Sequence, residues 1–235
     1  MICRFVYSFL PQTFLLLCAL WFSGLVLANS ETAAGDIAKG QEKSATCQGC
    51  HGPDGNSLSD EWPNLAQQHA GYLSKQLHNF QSGARKDPTM TSMAATVNDE
   101  DIKDIAAYFN SQKINRAAIA KEEFDPQLLN VGRKIYKGGN VYSGVPACAG
   151  CHGPHGVGNS PGKFPRLDGQ KITYVTKQLK DFAAATRSND PHSIMQNIAS
   201  RLSEKEIAAV AIYIRSLGGE QQVGMEKPAA DKDKN

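Results

Sequence analysis

Two short stretches of this sequence place cysteine and histidine in a spacing that could do chemistry. "CQGCHGPDGNS" (47–57) and "CAGCHGPHGVGNS" (148–160) each hold two cysteines three positions apart, with a histidine directly after the second. On a helical turn, thiols at i and i+3 face the same way and can add to the two vinyl groups of a haem, and the next histidine can reach the iron. The pattern therefore predicts two covalently attached haem c groups, held by Cys47, Cys50, His51, Cys148, Cys151 and His152.

Two other kinds of site use paired cysteines. A structural zinc site needs four ligands, commonly from two cysteine pairs, but here the pairs are 101 residues apart in sequence. A thioredoxin-like dithiol belongs to a βαβ unit, and no stretch of alternating β-branched residues is present. Both alternatives are weaker than haem attachment.

The start of the chain resembles an export signal. Arg4 precedes the apolar run "FLLLCALWFSGLVLA", which ends at Ala28. Its uninterrupted apolar part is shorter than the ~20 residues that span a bilayer. We therefore expect residues 1–28 to be a cleaved signal peptide and the protein to be periplasmic, with a retained membrane anchor as the alternative. Cleavage would remove Cys3 and Cys18 and leave only the motif cysteines.

The chain contains two copies of an internal repeat. After each motif come, in the same order, an x-Pro-x-Leu segment, a tyrosine, Lys-Gln-Leu, a phenylalanine, Asp-Pro, a methionine and an N-cap candidate. In the first copy these are 62–65, Tyr72, 75–77, Phe80, 87–88, Met90 and Asn98, and in the second 164–167, Tyr174, 177–179, Phe182, 190–191, Met195 and Ser203. The final segment of each copy shows an apolar face at helical spacing.

These patterns predict an all-α fold of two tandem, homologous domains. We expect an N-terminal domain over 29–112, a linker over 113–129, a C-terminal domain over 130–219 and a polar tail over 220–235. Each domain should contain a lead-in helix, a middle helix and a final helix. The extra residues "GNVYSGVPA" before the second motif should form a surface loop.

The second axial ligand decides what the iron can do. Besides the motif histidines, the chain has His69, His78, His155 and His192. Each aligns with a charged residue at the same position of the other repeat copy. Positions that accept either residue are solvated, so all four histidines are expected at the surface. Met90 and Met195 share a repeat position and are the predicted sixth ligands, whereas Met93 aligns with Ile198 and is expected in the core. Histidine–methionine ligation closes both axial positions, which suits electron transfer.

A proximal imidazole usually donates its second N–H to an acceptor that fixes the ring. The prolines of the two x-Pro-x-Leu segments, Pro63 and Pro165, could supply such a carbonyl or could merely shape a turn.

With these landmarks the sequence resembles the dihaem cytochrome c4 family over residues 36 to about 218. The segments that carry the resemblance are "CQGCHGPDGNS", "WPNLAQQHAGYLSKQL", "DEDIKDIAAYF", "PACAGCHGPHGVGN" and "FPRLDGQ". The resemblance implies two tandem cytochrome c-like domains, related by a pseudo-two-fold axis, with haem propionates near their interface. It also implies axial pairs His51/Met90 and His152/Met195, with Pro63 and Pro165 accepting from the histidines. "SGARKDPT", before Met90, is shorter than the family pattern.

The resemblance implies an electron carrier between quinol–cytochrome c reductase-type donors and a haem–copper terminal oxidase, with possible loose membrane association. One alternative is the dihaem subunit of a flavoprotein sulfide dehydrogenase-type enzyme. Another alternative is a dihaem peroxidase, which needs an iron with an axial position that can open to substrate. The two repeated methionines argue against it.

The charge is divided between the two copies. The whole chain has 25 Lys+Arg and 23 Asp+Glu, which makes nucleic acid an unlikely partner. Residues 29–112 hold 6 basic and 11 acidic residues, a net −5, whereas residues 130–218 hold 12 and 5, a net +7. Positive charge around a haem stabilises ferrous iron relative to ferric iron. The His152/Met195 haem is therefore predicted to have the higher reduction potential.

Overall fold

Eleven α-helices and one 3₁₀ turn make up the regular structure of residues 35–223, the part of the chain that the computed structural model describes. Within this range there is no β-strand, only two isolated bridges. The predicted all-α class is confirmed.

Five helices form the first module and five form the second. The first has α1 (Ile37–Lys43), α2 (Ala45–His51), α3 (Ala70–Gln81), α4 (Pro88–Ala94) and α5 (Asp99–Ser111). After the short α6 (Arg116–Ile119), the second has α7 (Pro126–Gly138), α8 (Ala149–His152), α9 (Ile172–Ala183), α10 (Ile194–Ala199) and α11 (Glu204–Val223). The lead-in, middle and final helices were predicted, and the short helices α4 and α10 that carry the methionines were not.

Each final helix packs directly against the lead-in helix of its module through a glycine. A Cβ at Gly40 of α1 would lie 2.0 Å from the Asp104 carbonyl oxygen on α5, and one at Gly132 of α7 would lie 2.0 Å from that of Ala209 on α11. Only a residue without a side chain allows the two backbones to approach this closely. Around these crossings lie the apolar cores, with Ile105 and Phe109 in the first module and Val210 and Ile214 in the second.

The final helices start at the predicted residues. Asn98 accepts from the backbone N–H groups of Glu100 and Asp101, and the Asp101 side chain accepts from Asn98 N–H in return. Ser203 and Glu206 make the corresponding capping box at α11. These reciprocal bonds satisfy donors that the first helical turn leaves free.

The segment between the modules is ordered. Ile114 and Ile119 are buried with Ala66 in a small apolar cluster of their own. The first helix of the second module begins at Pro126, inside the range expected to be linker. The connection is therefore packed against the modules.

The loop that is unique to the second module is exposed as expected. Asn140 and Val145 pair across its base, and Val141 and Tyr142 at its tip are 86% and 99% exposed. Helix α11 runs to Val223, four residues into the expected tail. The predicted signal peptide over 1–28 and the rest of the tail lie outside the described residues.

Candidate haem-binding sites

The two motifs have the same backbone conformation. Cys47, Cys50 and His51 lie on α2, and the second motif forms α8 with Cys148 as its N-cap. The glycine after each histidine, Gly52 or Gly153, has a positive φ of 81° or 78° and turns the chain away from the helix end. Burial raises the pKa of the Cys47 thiol and raises that of Cys148 to about 11. The first cysteine of each pair packs against the apolar core of its module.

Both motif histidines are buried and held by a proline carbonyl. His51 Nδ1 lies 2.9 Å from Pro63 O, and His152 Nδ1 lies 3.0 Å from Pro165 O. A carbonyl only accepts, so Nδ1 carries the proton and Nε2 keeps its lone pair for a metal. Burial lowers the pKa of both histidines, although the proline carbonyls oppose the shift. Each neutral imidazole could therefore bind a metal through Nε2.

The repeated methionines lie on short helices that follow the two Asp-Pro pairs, α4 directly and α10 after a 3₁₀ turn. The Asp87 carboxylate accepts from Met90 N at 2.9 Å, and the Asp190 carboxylate accepts from Gln196 N at 3.1 Å, one residue beyond Met195. The second module has two more residues between aspartate and methionine. A 3₁₀ turn containing His192 and Ser193, both with positive φ, accommodates them. Both methionines are half-buried.

Met93 is not a core residue. Its side chain is 41% exposed, so the expectation drawn from its alignment with Ile198 was wrong. Helix α4 is only two turns long, and its buried residue is the next one, Ala94.

Three of the four remaining histidines are exposed as predicted, namely His78, His155 and His192. His69 is not at the surface. It is half-buried, and its Nε2 lies 2.9 Å from Val157 O in the second module. The repeat partner of His69, Lys171, is itself buried. This position takes unlike residues because it lies at the interface between the modules, where each copy faces different neighbours.

Sequence reasoning missed the tyrosines that fix the Gly-Pro loops after the motifs. Tyr108 donates to Pro53 O at 2.6 Å, and Tyr136 donates to Gly153 O at 2.9 Å. They come from helices that do not correspond in the repeat, α5 and α7. Tyr108 aligns with Tyr213, so the internal alignment did not pair Tyr108 with Tyr136.

A polar network that was also missed crosses the interface between the modules. Arg85 donates to Gln76, Tyr174 and Gln178, and its repeat partner Arg187 donates to Gln178, Asn189, Tyr72 and Gln76. Both guanidinium groups are buried. Burial alone would raise the Tyr174 pKa, but the charges of Arg85 and Arg187 outweigh it and lower that pKa.

These features fit haem groups. Each module offers cysteines at helical spacing and a neutral imidazole with Nε2 available, and the interface holds two buried cations whose hydrogen-bond partners among the described residues are neutral. Buried charges are normally paired, so an anionic group such as a haem propionate would complete this network. Among residues 35–223, no three His, Cys, Asp or Glu side chains cluster as a zinc site would need.

Comparisons with known proteins agree with this assignment. The family described as Cytochrome c matches residues 37–113 and 131–218. The chain is 47% identical over 195 residues to "Cytochrome c4" of Azotobacter vinelandii, covering 79% of this chain and 90% of the relative. It is 37% identical over 174 residues to "Thiosulfate dehydrogenase electron acceptor" of Stutzerimonas stutzeri, covering 73% of this chain and 79% of the relative.

The fold matches solved structures as well. The crystal structure of reduced recombinant cytochrome c4 from Pseudomonas stutzeri superposes with a TM-score of 0.73 at 44% identity, covering 78% of this chain and 99% of that chain. In residues 35–223, no helix is both long enough and apolar enough to cross a membrane.

Proposed function

Since the chain belongs to the cytochrome c4 family and is a dihaem electron-transfer protein, we propose that it carries electrons in the periplasm with one histidine–methionine-ligated haem in each module. His51 and Met90 would hold the iron of one haem, and His152 and Met195 would hold that of the other. The observation that carries this proposal is the orientation of both imidazoles by a proline carbonyl, which leaves each Nε2 available to iron. The haem iron supplies a one-electron ferric–ferrous couple.

Residues of the chain would stabilise the ferrous state of this couple and exclude other ligands from the iron. A buried, neutral imidazole and a thioether stabilise ferrous iron better than anionic ligands do, and two fixed protein ligands leave no axial position for oxygen. The α4 and α10 helices carry the two methionines; Asp87 caps α4, and Asp190 accepts from Gln196 N–H in the first turn of α10. The iron environment is therefore built from short, locally fixed elements, which favours electron transfer with little rearrangement.

We place the haem propionates beside Arg85 and Arg187. These buried guanidinium groups retain donors that carboxylates would accept well, and charge-assisted bonds of this kind are the stronger ones. Because the two arginines lie in one network, both haems would have their propionates at the interface between the modules.

We infer that the donor is a quinol–cytochrome c reductase-type complex and the acceptor a haem–copper terminal oxidase. The similarity to cytochrome c4 proteins over 79% of the chain supports this route.

Carbon monoxide binding tests the ligation. The ferrous protein should keep its optical spectrum under carbon monoxide, because both axial positions are closed by protein. A carbon monoxide complex at either haem would contradict histidine–methionine ligation there and would favour a ligand-binding or peroxidase role.

The route is tested with membranes that contain a haem–copper oxidase. Adding the reduced protein should start oxygen uptake that cyanide stops, and membranes without the protein serve as the control. Failure to oxidise the protein would contradict the proposed acceptor.

A second candidate role is electron acceptor for a dehydrogenase of a sulfur compound, which the similarity to the thiosulfate dehydrogenase electron acceptor of Stutzerimonas stutzeri supports. Reduction of the ferric protein by thiosulfate in the presence of such a dehydrogenase, but not without it, would establish this role.

A further inference from the structure

In each module, a glutamine side chain forms hydrogen bonds with the backbone of the residue that follows Pro63 or Pro165 in the other module. Gln170 Oε1 accepts from Asn64 N–H at 2.8 Å, and its Nε2 donates to Asn64 O at 2.9 Å. Gln68 does the same to Arg166 in the second module, with both distances at 2.9 Å. The two glutamines occupy the same repeat position, three residues after the leucine of x-Pro-x-Leu.

The peptide group that each glutamine binds is the one that holds the proximal histidine. Pro63 C=O and Asn64 N–H belong to a single peptide group, as do Pro165 C=O and Arg166 N–H; we call these the proximal peptides. On one side, the proximal peptide accepts from its own module's histidine. On the other side, it donates to the other module's glutamine. A continuous hydrogen-bonded chain therefore runs from each imidazole across the interface.

The glutamine amides are fixed in this orientation. Gln170 Oε1 also accepts from Lys171 N–H at 2.9 Å, and Gln68 Oε1 also accepts from His69 N–H at 3.0 Å. With two N–H donors facing Oε1 and a carbonyl facing Nε2, the reversed amide would lose all three bonds. Both side chains are buried, at 6% and 7% exposure, so water does not compete for these positions.

We propose that Gln170 and Gln68 are positioning residues that each set the reduction potential of the haem in the opposite module. Hydrogen bonds in a chain polarise one another, so an acceptor on the peptide N–H makes the peptide C=O a stronger acceptor. The stronger carbonyl draws the Nδ1 proton and raises the basicity of the imidazole, as outer partners of metal-bound histidines do. A more electron-rich imidazole stabilises ferric iron and lowers the potential.

The inference rests on the proposed ligation by His51 and His152, and it predicts a crossed effect. Gln170→Met keeps the length of the side chain and removes all three hydrogen bonds of the amide, two of them to Asn64. It should raise the reduction potential of the His51 haem and leave the reduction potential of the His152 haem unchanged. At a fixed ambient potential, the ferrous-to-ferric ratio of the His51 haem should increase about threefold, which is ~28 mV at 59 mV per tenfold for one electron.

The experiment is a redox titration of the holoprotein with the two haems distinguished. Gln68→Met should give the mirror result, a higher potential at the His152 haem, and it provides an independent test if Gln170→Met folds poorly. In the same samples, the Nδ1–H proton resonance of the opposite module's histidine should move, which loss of stability alone does not cause. A shift in the variant's own module, an equal shift in both haems, or no shift would overturn the proposal.

His69→Ala is the matched control. It removes another hydrogen bond between the modules, from the residue next to Gln68 to Val157 O, without touching a proximal peptide. The potentials should not change, and a shift as large as that of Gln170→Met would show that general loosening of the interface is responsible. A wild-type spectrum without histidine–methionine features would contradict the ligation itself, whereas a normal spectrum with unmoved potentials overturns only the glutamine effect.

Discussion

At the scale of single residues, the two haem environments depend on a few side chains whose protonation and exposure the fold sets. The proline carbonyls select the tautomer of His51 and His152, and burial keeps both rings neutral. Met90 and Met93 lie one helical turn apart on α4 but differ in exposure, since Met90 is half-buried and Met93 is 41% exposed. Substituting each methionine in turn therefore distinguishes the loss of the proposed iron ligand from the loss of a more exposed side chain on the same helix.

We predict that Met90→Ala abolishes the methionine-to-ferric-iron charge-transfer band of one haem, because the thioether is the proposed ligand that produces it. Met93→Ala, the matched control, should keep the band. It should cost about 1 kcal/mol or less, since the energy of burial scales with the area removed from water. Optical spectra and chemical unfolding of both variants test this. A band that disappears in Met93→Ala instead would show that the repeat alignment chose the wrong methionine.

At the scale of helices, each module is organised by the close crossing of its lead-in and final helices. Gly40 and Gly132 occupy the same place in the two crossings, and a methyl group on either would collide with a backbone carbonyl oxygen. A backbone atom cannot rotate aside as a side-chain end can, so the helices themselves would have to separate. The motif helices adjoin the lead-in helices, which makes this crossing a support of the haem sites.

Gly132→Ala should therefore destabilise the second module by about 3 kcal/mol, at the upper end of overpacking costs. Gly138→Ala, on the same helix, has no atom within 4 Å of the added Cβ and should change stability by less than about 1 kcal/mol. Denaturant unfolding followed by far-ultraviolet circular dichroism compares the two. Equal stabilities would show that the crossing is not tightly constrained.

At the scale of the whole molecule, ion pairs join the second module to the segment that precedes it. Asp168 of the second module is fully buried and pairs with Arg116 at 2.8 Å and with Arg166 at 2.8 Å. Arg116 lies on α6, outside both modules, and its Nη1 also donates to Gly218 O. Arg215 of α11 pairs with Glu122, which follows α6. These contacts fix the connection in place.

Asp168→Asn should lower the free energy of unfolding by about 3–5 kcal/mol, because it leaves the two largely buried guanidinium groups, 13% and 17% exposed, without a carboxylate. Lys177→Met breaks the exposed pair with Asp181 and should have an effect of at most ~0.5 kcal/mol. Thermal unfolding of the two variants provides the measurement. A similar small effect in both would mean that Asp168 contributes no more than a surface charge.

The division of charge should separate the two potentials. The first repeat carries a net −5 and the second a net +7. One charge ~15 Å from an iron at an effective dielectric constant of ~40 contributes about 0.5 kcal/mol before salt screening. The His152/Met195 haem should therefore have the higher potential by tens of millivolts, and association with partners should slow as salt rises. Redox titration, with each haem assigned through Met90→Ala or Met195→Ala, tests this. Equal potentials, or a higher one at His51/Met90, would show that local burial outweighs the charge difference.

The sequence by itself determined the features that depend on local spacing. Cysteine and histidine positions on one helical turn identify haem attachment, and the repeated order of landmarks identifies two helical modules. Capping boxes at Asn98 and Ser203 were also predictable, since the bonds involved connect residues three positions apart.

Only the tertiary structure decided how the modules contact each other. Gln68 and Gln170 share a position that the repeat alignment could have shown, but their partners, Arg166 and Asn64, are 98 and 106 residues away. The same holds for the buried pair Arg85 and Arg187, and for His69, whose position looked solvent-exposed by comparison with Lys171. Periodicity reports which face of a helix is apolar, but it carries no information about which distant backbone will bind a polar side chain.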